Sequence, residues 1–241
     1  QGVSSAASDV YKRQSGWFKS SNLTNNDEIF EFGDTFFYDT SNLIAWYKFE
    51  DSTNLGLDSV NGYNMTLTGG PTYSTGARVG KGYIRFPTTS QYASIPIAVL
   101  KPNGVTRDVF SISFWLKRNE DISSGYKHYI TVDGGNGADL STSLYVGKTS
   151  GQNLQMHTRY GNNYKENTVP LNQNIVGEWQ HYVIILKKNN IAGTNKVFLA
   201  LYVNGQYVVA YNNDLNWIEL GNLLSINRWV NGTSDSFSKD I

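Results

Sequence analysis

Three groups of side chains in this sequence have the types and spacing for chemistry. The first is an oxygen-rich cluster, Glu50, Asp51, Asp58, Asn61 and Asn64, with Gly56 and Gly62 between them. Calcium takes roughly six to eight hard oxygen ligands in flexible geometry, and glycines permit the turns that gather them. The same residues also describe a plain solvated loop, because Asp and Asn side chains cap their own backbone. The second group is the acidic stretch Asp27 to Asp34 (DEIFEFGD), which holds Glu28 and Glu31. A retaining glycosidase needs two carboxyls roughly 5–5.5 Å apart. Residues three apart on a strand point to opposite faces, so this pair does not meet. Glu166, Glu178 and Glu219 stand alone.

The third group is aromatic and planar polar residues in loop-like stretches. Sugars offer C–H faces for stacking and hydroxyls for hydrogen bonds, so a sugar site pairs aromatic walls with a few placed polar groups. Tyr126, His128, Asn136, Tyr160, Asn162, Tyr164 and Trp229 are the candidate ligand-binding residues, with Asp139, Asn163 and Trp217 beside them. Trp46, Trp115 and Trp179 fall inside strand patterns and are assigned to packing, as is His181. His128, His157 and His181 lack any zinc spacing, and no P-loop, GxSxG or GxGxxG stands in a fitting context.

The elements that must carry these residues are strands. The 241 residues are 39% hydrophobic, 14% aromatic and 17% charged. Disorder requires low hydrophobicity with high net charge, and the net charge here is zero. No Lys/Arg block gives a nucleic-acid footprint, and no apolar run approaches the roughly 20 residues of a membrane span. With no cysteine, disulfides and thiolate metal sites are excluded. Strand signals recur from Leu43 onward: LIAWYKFE (43–50), MTLT (65–68), YIRFP (83–87), YASIPI (92–97), FSISFWLKR (110–118), KHYITVD (127–133), TSLYVGK (142–148), LQMHTRY (154–160), WQHYVIILKK (179–188), VFLALYVNGQYVVAYN (197–212) and LLSINRW (223–229). Phe110, Ile112, Phe114 and Leu116 share one face of their strand, and Tyr182, Ile184 and Leu186 share one face of theirs. Val183 and Ile185 are apolar as well, so that strand is expected to be central and buried on both sides. Asn204-Gly205 between two β-rich runs is a type I′ hairpin signal. No helical stripe and no constant repeat interrupts this pattern. Short strands at such spacing predict an all-β, two-sheet antiparallel sandwich.

Four segments in order carry a family resemblance: LIAWYKFEDSTNLGLDSVNGYNMTLTGG, FSISFWLKR, GEWQHYVIILKK and LALYVNGQYVV. Together they resemble the laminin-G-like jelly rolls of the concanavalin A-like lectin/glucanase superfamily, over about residues 43–241. The resemblance implies a jelly-roll sandwich and a rim calcium site whose ligands here would be Asp58 and Asn61, with Glu50 weaker. It implies a closing strand with an acidic step, which at Ser238 to Ile241 is expected to be cut short and to leave an unpaired edge. Residues 1–14 (QGVSSAASDVYKRQ) are set apart as a non-native or disordered leader, and residues 15–42 as a linker or the end of an upstream domain. Glucanases of the superfamily place an Asp where Phe30 stands between Glu28 and Glu31, so hydrolysis is not expected. The aromatic excess and the resemblance together imply a non-catalytic binding module for a glycan, acting in adhesion in a larger secreted, surface or virion protein. A structural or protein-contact module of a fibre or adhesin is the alternative. Partners are then a glycan or a protein surface, with no nucleic acid and no membrane span.

Overall fold

The computed structural model describes residues 43–88, 90–104, 107–119, 126–133, 140–147, 154–160, 163–169, 176–216, 223–228 and 239–240. The strands are β1 (Thr66–Thr68), β2 (Thr72–Thr75), β3 (Gly82–Phe86), β4 (Tyr92–Ile95), β5 (Val109–Arg118), β6 (Tyr126–Asp133) and β7 (Leu140–Gly147). They continue as β8 (Leu154–Tyr160), β9 (Asn163–Val169), β10 (Trp179–Ile191), β11 (Thr194–Val203), β12 (Gln206–Asn216), β13 (Leu223–Ile226) and β14 (Lys239–Asp240). Two short 3₁₀ turns, Ile97–Val99 and Pro102–Gly104, link β4 to β5. One seven-stranded sheet, here the front sheet, runs β12-β11-β10-β5-β14-β3-β2. The back sheet runs β1-β4-β13-β6-β7-β8-β9. The strand-to-strand ladders of both sheets are antiparallel.

The alternating side chains decide which face is buried. From the front sheet Ile84, Phe86, Phe110, Leu116, Tyr182, Ile184, Leu186, Leu199 and Leu201 enter the core. Ala93, Ile95, Tyr129, Ile130, Val132, Met156, Leu224 and Ile226 meet them from the back sheet. Tyr129 and Tyr182 bring their rings within 6.4 Å across this layer. Burying each large apolar side chain contributes about 1.5–3 kcal/mol, and these contacts are what hold the two sheets face to face. Central β10 is buried at Tyr182, Ile184 and Leu186; on its other face Val183 is buried but Ile185 only half-buried, so burial on both sides is met in part.

Asn204 and Gly205 both have positive φ, 52° and 77°, as the hairpin between β11 and β12 requires. A Cβ on Gly205 would meet nothing within 4 Å. Gly205→Ala therefore probes backbone strain alone, and it is expected to cost about 1 kcal/mol in chemical denaturation.

Three expectations change. LIAWYKFE makes no strand among the described residues; Tyr47 forms one isolated bridge to Asp58. Its pattern is strand-like, but a strand exists only when a ladder partner is present. β2 and β9 carry too little apolar alternation to announce themselves, and both lie at sheet edges, where little burial is demanded. Finally, β14 is no outer edge: Lys239 and Asp240 pair with β3 on one side and β5 on the other. The leader, the 15–42 segment and the Glu28/Glu31 stretch lie outside the described residues.

Candidate functional site

Directly opposed residues of an antiparallel pair point to the same side of the sheet. On β5 and β10, Trp115 lies opposite His181, Lys117 opposite Trp179 and Ser113 opposite Val183. Val183 lies opposite Tyr202 on β11, and Tyr202 opposite Tyr207 on β12. Since Tyr182 and Ile184 enter the core, this other set faces outward, away from the back sheet. The outward face of the front sheet thus gathers two tryptophans, two tyrosines, a histidine and a lysine.

Their packing fixes them. Trp115 and His181 rings lie 5.1 Å apart, and Tyr202 meets Tyr207 edge-on at 5.8 Å. Tyr83 on β3 meets Trp179 edge-on at 5.2 Å. The Lys117 ammonium lies 5.2 Å from the Trp179 ring and 5.5 Å from that of Tyr83. The Arg78 guanidinium lies 5.5 Å from the Trp115 ring. Ser113 Oγ and His181 Nε2 share a hydrogen bond of 2.8 Å. Tyr207 is 59% exposed, while Trp115, Trp179, His181 and Tyr202 are half-buried, so their outer surfaces are open to contact. Burial holds the His181 imidazole down at about 4, so it is neutral at pH 7 and serves as a hydrogen-bonding group without charge. Held aromatic faces with hydroxyl, imidazole and cationic groups beside them can stack on a C–H surface and hydrogen-bond its hydroxyls.

By sequence, Trp115, Trp179 and His181 are packing residues. They do pack, yet on the outward face. The signal was present: Trp115 alternates with Ser111 and Ser113 and not with the core residues Phe114 and Leu116.

The oxygen-rich loop is put together differently from a cation site. Asp58 is 5% exposed. Its Oδ1 accepts the backbone N–H of Trp46 (2.7 Å) and of Val60 (3.1 Å), and its Oδ2 those of Asn61 and Tyr63 (both 3.0 Å). An ionised carboxylate has about four lone-pair positions, and four donors fill them. Burial raises the Asp58 carboxyl, and the four donors together outweigh that and hold it below the usual range. Asn61 donates its amide to the carbonyls of Ile44 (2.8 Å) and Leu43 (3.4 Å), and Asn64 Oδ1 accepts the Asp58 N–H at 2.9 Å. Glu50 is exposed and lies against Gly80. Among the described residues no three His, Asp or Glu side chains converge as a metal site would require. With four backbone donors on its two oxygens, Asp58 has no lone pair to spare for a calcium ion. The loop is an Asx-type clasp that fastens residues 43–47 to residues 58–64.

The other candidates do not converge either. His128 lies within β6 and is 4% exposed, so it is no loop ligand. Tyr126 begins β6 opposite Gly147, the last residue of β7. Tyr160 lies opposite Leu140 at the other end of β7, and Tyr164 follows on β9. Tyr126 thus stands at the opposite end of the back sheet from Tyr160 and Tyr164. Asn136, Asn162 and Trp229 lie outside the described residues.

Comparison with known proteins adds the family. The model of a concanavalin A-like lectin/glucanases superfamily, laminin-G type, matches residues 80–238. No curated protein matches the chain. Among solved structures, domain 4 of a GH43 extracellular arabinanase from Geobacillus stearothermophilus, in complex with arabinotriose, is similar with a TM-score of 0.56 and 14% identity. That match covers 82% of this chain and 90% of the arabinanase domain. The binding domain of Paraclostridial mosquitocidal protein 1 is similar with a TM-score of 0.52 and 16% identity, over 76% of this chain and 44% of that one. The binding domain of botulinum neurotoxin DC in complex with SialylT has a TM-score of 0.50 and 17% identity, over 76% and 43%. At these identities the likeness is one of fold.

Proposed function

The chain belongs to the concanavalin A-like lectin/glucanase superfamily, and from that premise we propose that it is a non-catalytic module that binds a glycan on the outward aromatic face of its front sheet. One observation carries the reading: Trp115, Trp179, Tyr202 and Tyr207, on four adjacent rows of β5, β10, β11 and β12, all turn away from the core and remain accessible. A face built only for solvent would carry charged side chains there. Neither β5 nor β10 contains an Asp or Glu, so the centre of this face offers no acid–base pair for glycoside hydrolysis. Two of the similar solved structures were obtained with a glycan or oligosaccharide bound, which agrees with this reading. The place of action that suits it is outside the cell, at a cell surface or on a virion, in adhesion.

An array of neutral and acidic glycans, followed by calorimetric titration of any hit, tests this. Tyr207→Ala removes an exposed ring that contributes little to the core. It is expected to weaken the hit roughly tenfold while leaving the melting temperature within about 2 °C, since lost stacking at a contact is worth about 1 kcal/mol or more. Silence toward every glycan class, with self-association on sizing columns, would favour a structural or protein-contact role instead.

A further inference from the structure

On the outward face of the front sheet, rings on four adjacent strands stand in one row. Trp115 on β5 lies opposite His181 on β10, and Tyr202 on β11 lies opposite Tyr207 on β12. A diagonal step joins the two pairs, because Val183, two residues past His181, lies opposite Tyr202. The rings of the first pair are 5.1 Å apart and those of the second 5.8 Å. The row therefore crosses the strands and does not follow any one of them. It spans three strand spacings, about 14 Å. It ends on β12, the last strand of the sheet.

Beside the row the face is low. Val183 and Ala200 alternate with the core residues Ile184 and Leu199, so both point outward. They are nevertheless only 3% and 4% exposed, as small side chains sunk between larger ones are. Ser113 lies opposite Val183, and Ala210 opposite Ala200. Ser113, Val183, Ala200 and Ala210 thus make a floor across the same four strands, and the rings make a wall along it. The hydrogen bond between Ser113 Oγ and His181 Nε2 fixes one stretch of that wall to the floor. A site for a single terminal sugar encloses it and buries most of its surface. A ledge of this shape instead offers contact along its length and lets a chain pass out over the sheet edge at β12.

We propose that this ledge takes the inner stretch of a linear polysaccharide, running across the strands with one sugar unit per strand, and not the free end of a branched glycan. The inference rests on the glycan reading above and narrows it to a substrate class. An extended sugar unit advances a chain by about as much as one strand spacing, roughly 5 Å, so successive units meet successive rings. A single sugar reaches one pair of rings and leaves the other bare. About four units are needed to run from Trp115 to Tyr207. Each stacked ring adds roughly two- to tenfold in affinity, so binding accumulates along the chain. The low floor leaves room for the chain, and the Ser113, His181 and tyrosine groups lie level with its hydroxyls.

The test titrates the 241-residue chain with soluble linear polysaccharides (arabinan, xylan, glucomannan and alginate) and with a panel of mono- and disaccharides. Oligomers of increasing length, cut from each polysaccharide that binds, follow. Affinity is expected to rise at least about tenfold from two units to four and then to level off. Tyr207→Ala removes the last ring of the row. Its affinity for four units is expected to fall roughly tenfold, to that for two, so that the length dependence is lost. A mono- or disaccharide that binds as tightly as four units would overturn the inference and leave the glycan reading standing. So would a Tyr207→Ala variant that weakens every length alike. Silence toward every sugar would overturn both.

Discussion

Asp58→Ala is expected to lower stability by about 3 kcal/mol and the melting temperature by about 10 °C. The side chain is nearly buried and accepts four backbone N–H groups at once. Removing it strands donors that neither helix nor ladder supplies with a partner, and a buried unsatisfied donor costs about 1–3 kcal/mol. Asp58→Asn is expected to lose roughly half as much, since one oxygen is kept and the amide nitrogen opposes the remaining donors. The clasp also gives a sign for acid. The Asp58 carboxyl titrates lower in the folded chain than in the unfolded one. Its contribution is present in full above the unfolded value near 3.9 and is lost as pH falls through the folded value. A calcium ligand would behave otherwise: EDTA would mimic the alanine variant. Here EDTA is expected to leave the melting temperature of the unaltered chain unchanged, while Asp58→Ala lowers it with or without chelator.

His181 gives the second large effect. Burial depresses its imidazole to about 4 in the folded chain, whereas the unfolded value is 6.5. Above pH 6.5 both states are neutral and the depressed value costs nothing. Between 6.5 and 4 the unfolded chain binds a proton that the folded chain refuses, so stability falls as the solution is acidified. The full difference is about 3 kcal/mol, reached near pH 4. His181→Phe keeps a ring beside Trp115 and cannot take a proton. Urea denaturation from pH 7.5 down to 4 is expected to show a slope in the unaltered chain that is strongly reduced in the variant. At pH 7 the variant is expected to lose only about 1 kcal/mol, the worth of the bond to Ser113. Parallel curves for the two proteins would place the acid sensitivity elsewhere.

The sandwich was legible in the sequence because burial leaves a period. FSISFWLKR, WQHYVIILKK and VFLALYVNGQYVV alternate or run apolar as a two-layer sheet protein demands, and Asn204-Gly205 fixed the hairpin between the last two. β9 was hidden because NYKENTV sits at a sheet edge, where no apolar face is required. LIAWYKFE misled for the opposite reason: its residues suit a strand, but backbone pairing depends on a neighbour that side-chain pattern alone does not reveal. The candidate site was half legible. Alternation places Trp115 away from Phe114, but an aromatic inside a strand pattern suits packing as well as an open sheet face. The oxygen-rich loop is decided at a finer level. Asp58, Asn61 and Asn64 have the right oxygens, but which donors occupy them depends on how residues 43–47 fold back, and spacing along the chain is silent on that. Antiparallel pairing sets the loop candidates Tyr126 and Tyr160 at opposite ends of β7, a placement that their loop-like sequence surroundings do not reveal.

The most direct measurement is a two-dimensional NMR titration with whichever glycan binds most tightly, following backbone amides and tryptophan indole N–H signals. Binding on the outward front face is expected to move the Trp115 and Trp179 indole signals and the amides around Ser113, Tyr202 and Tyr207, while Tyr129 and Met156 stay in place. Shifts confined to the β8–β9 hairpin or the Asp58 loop, with both indoles undisturbed, would contradict it.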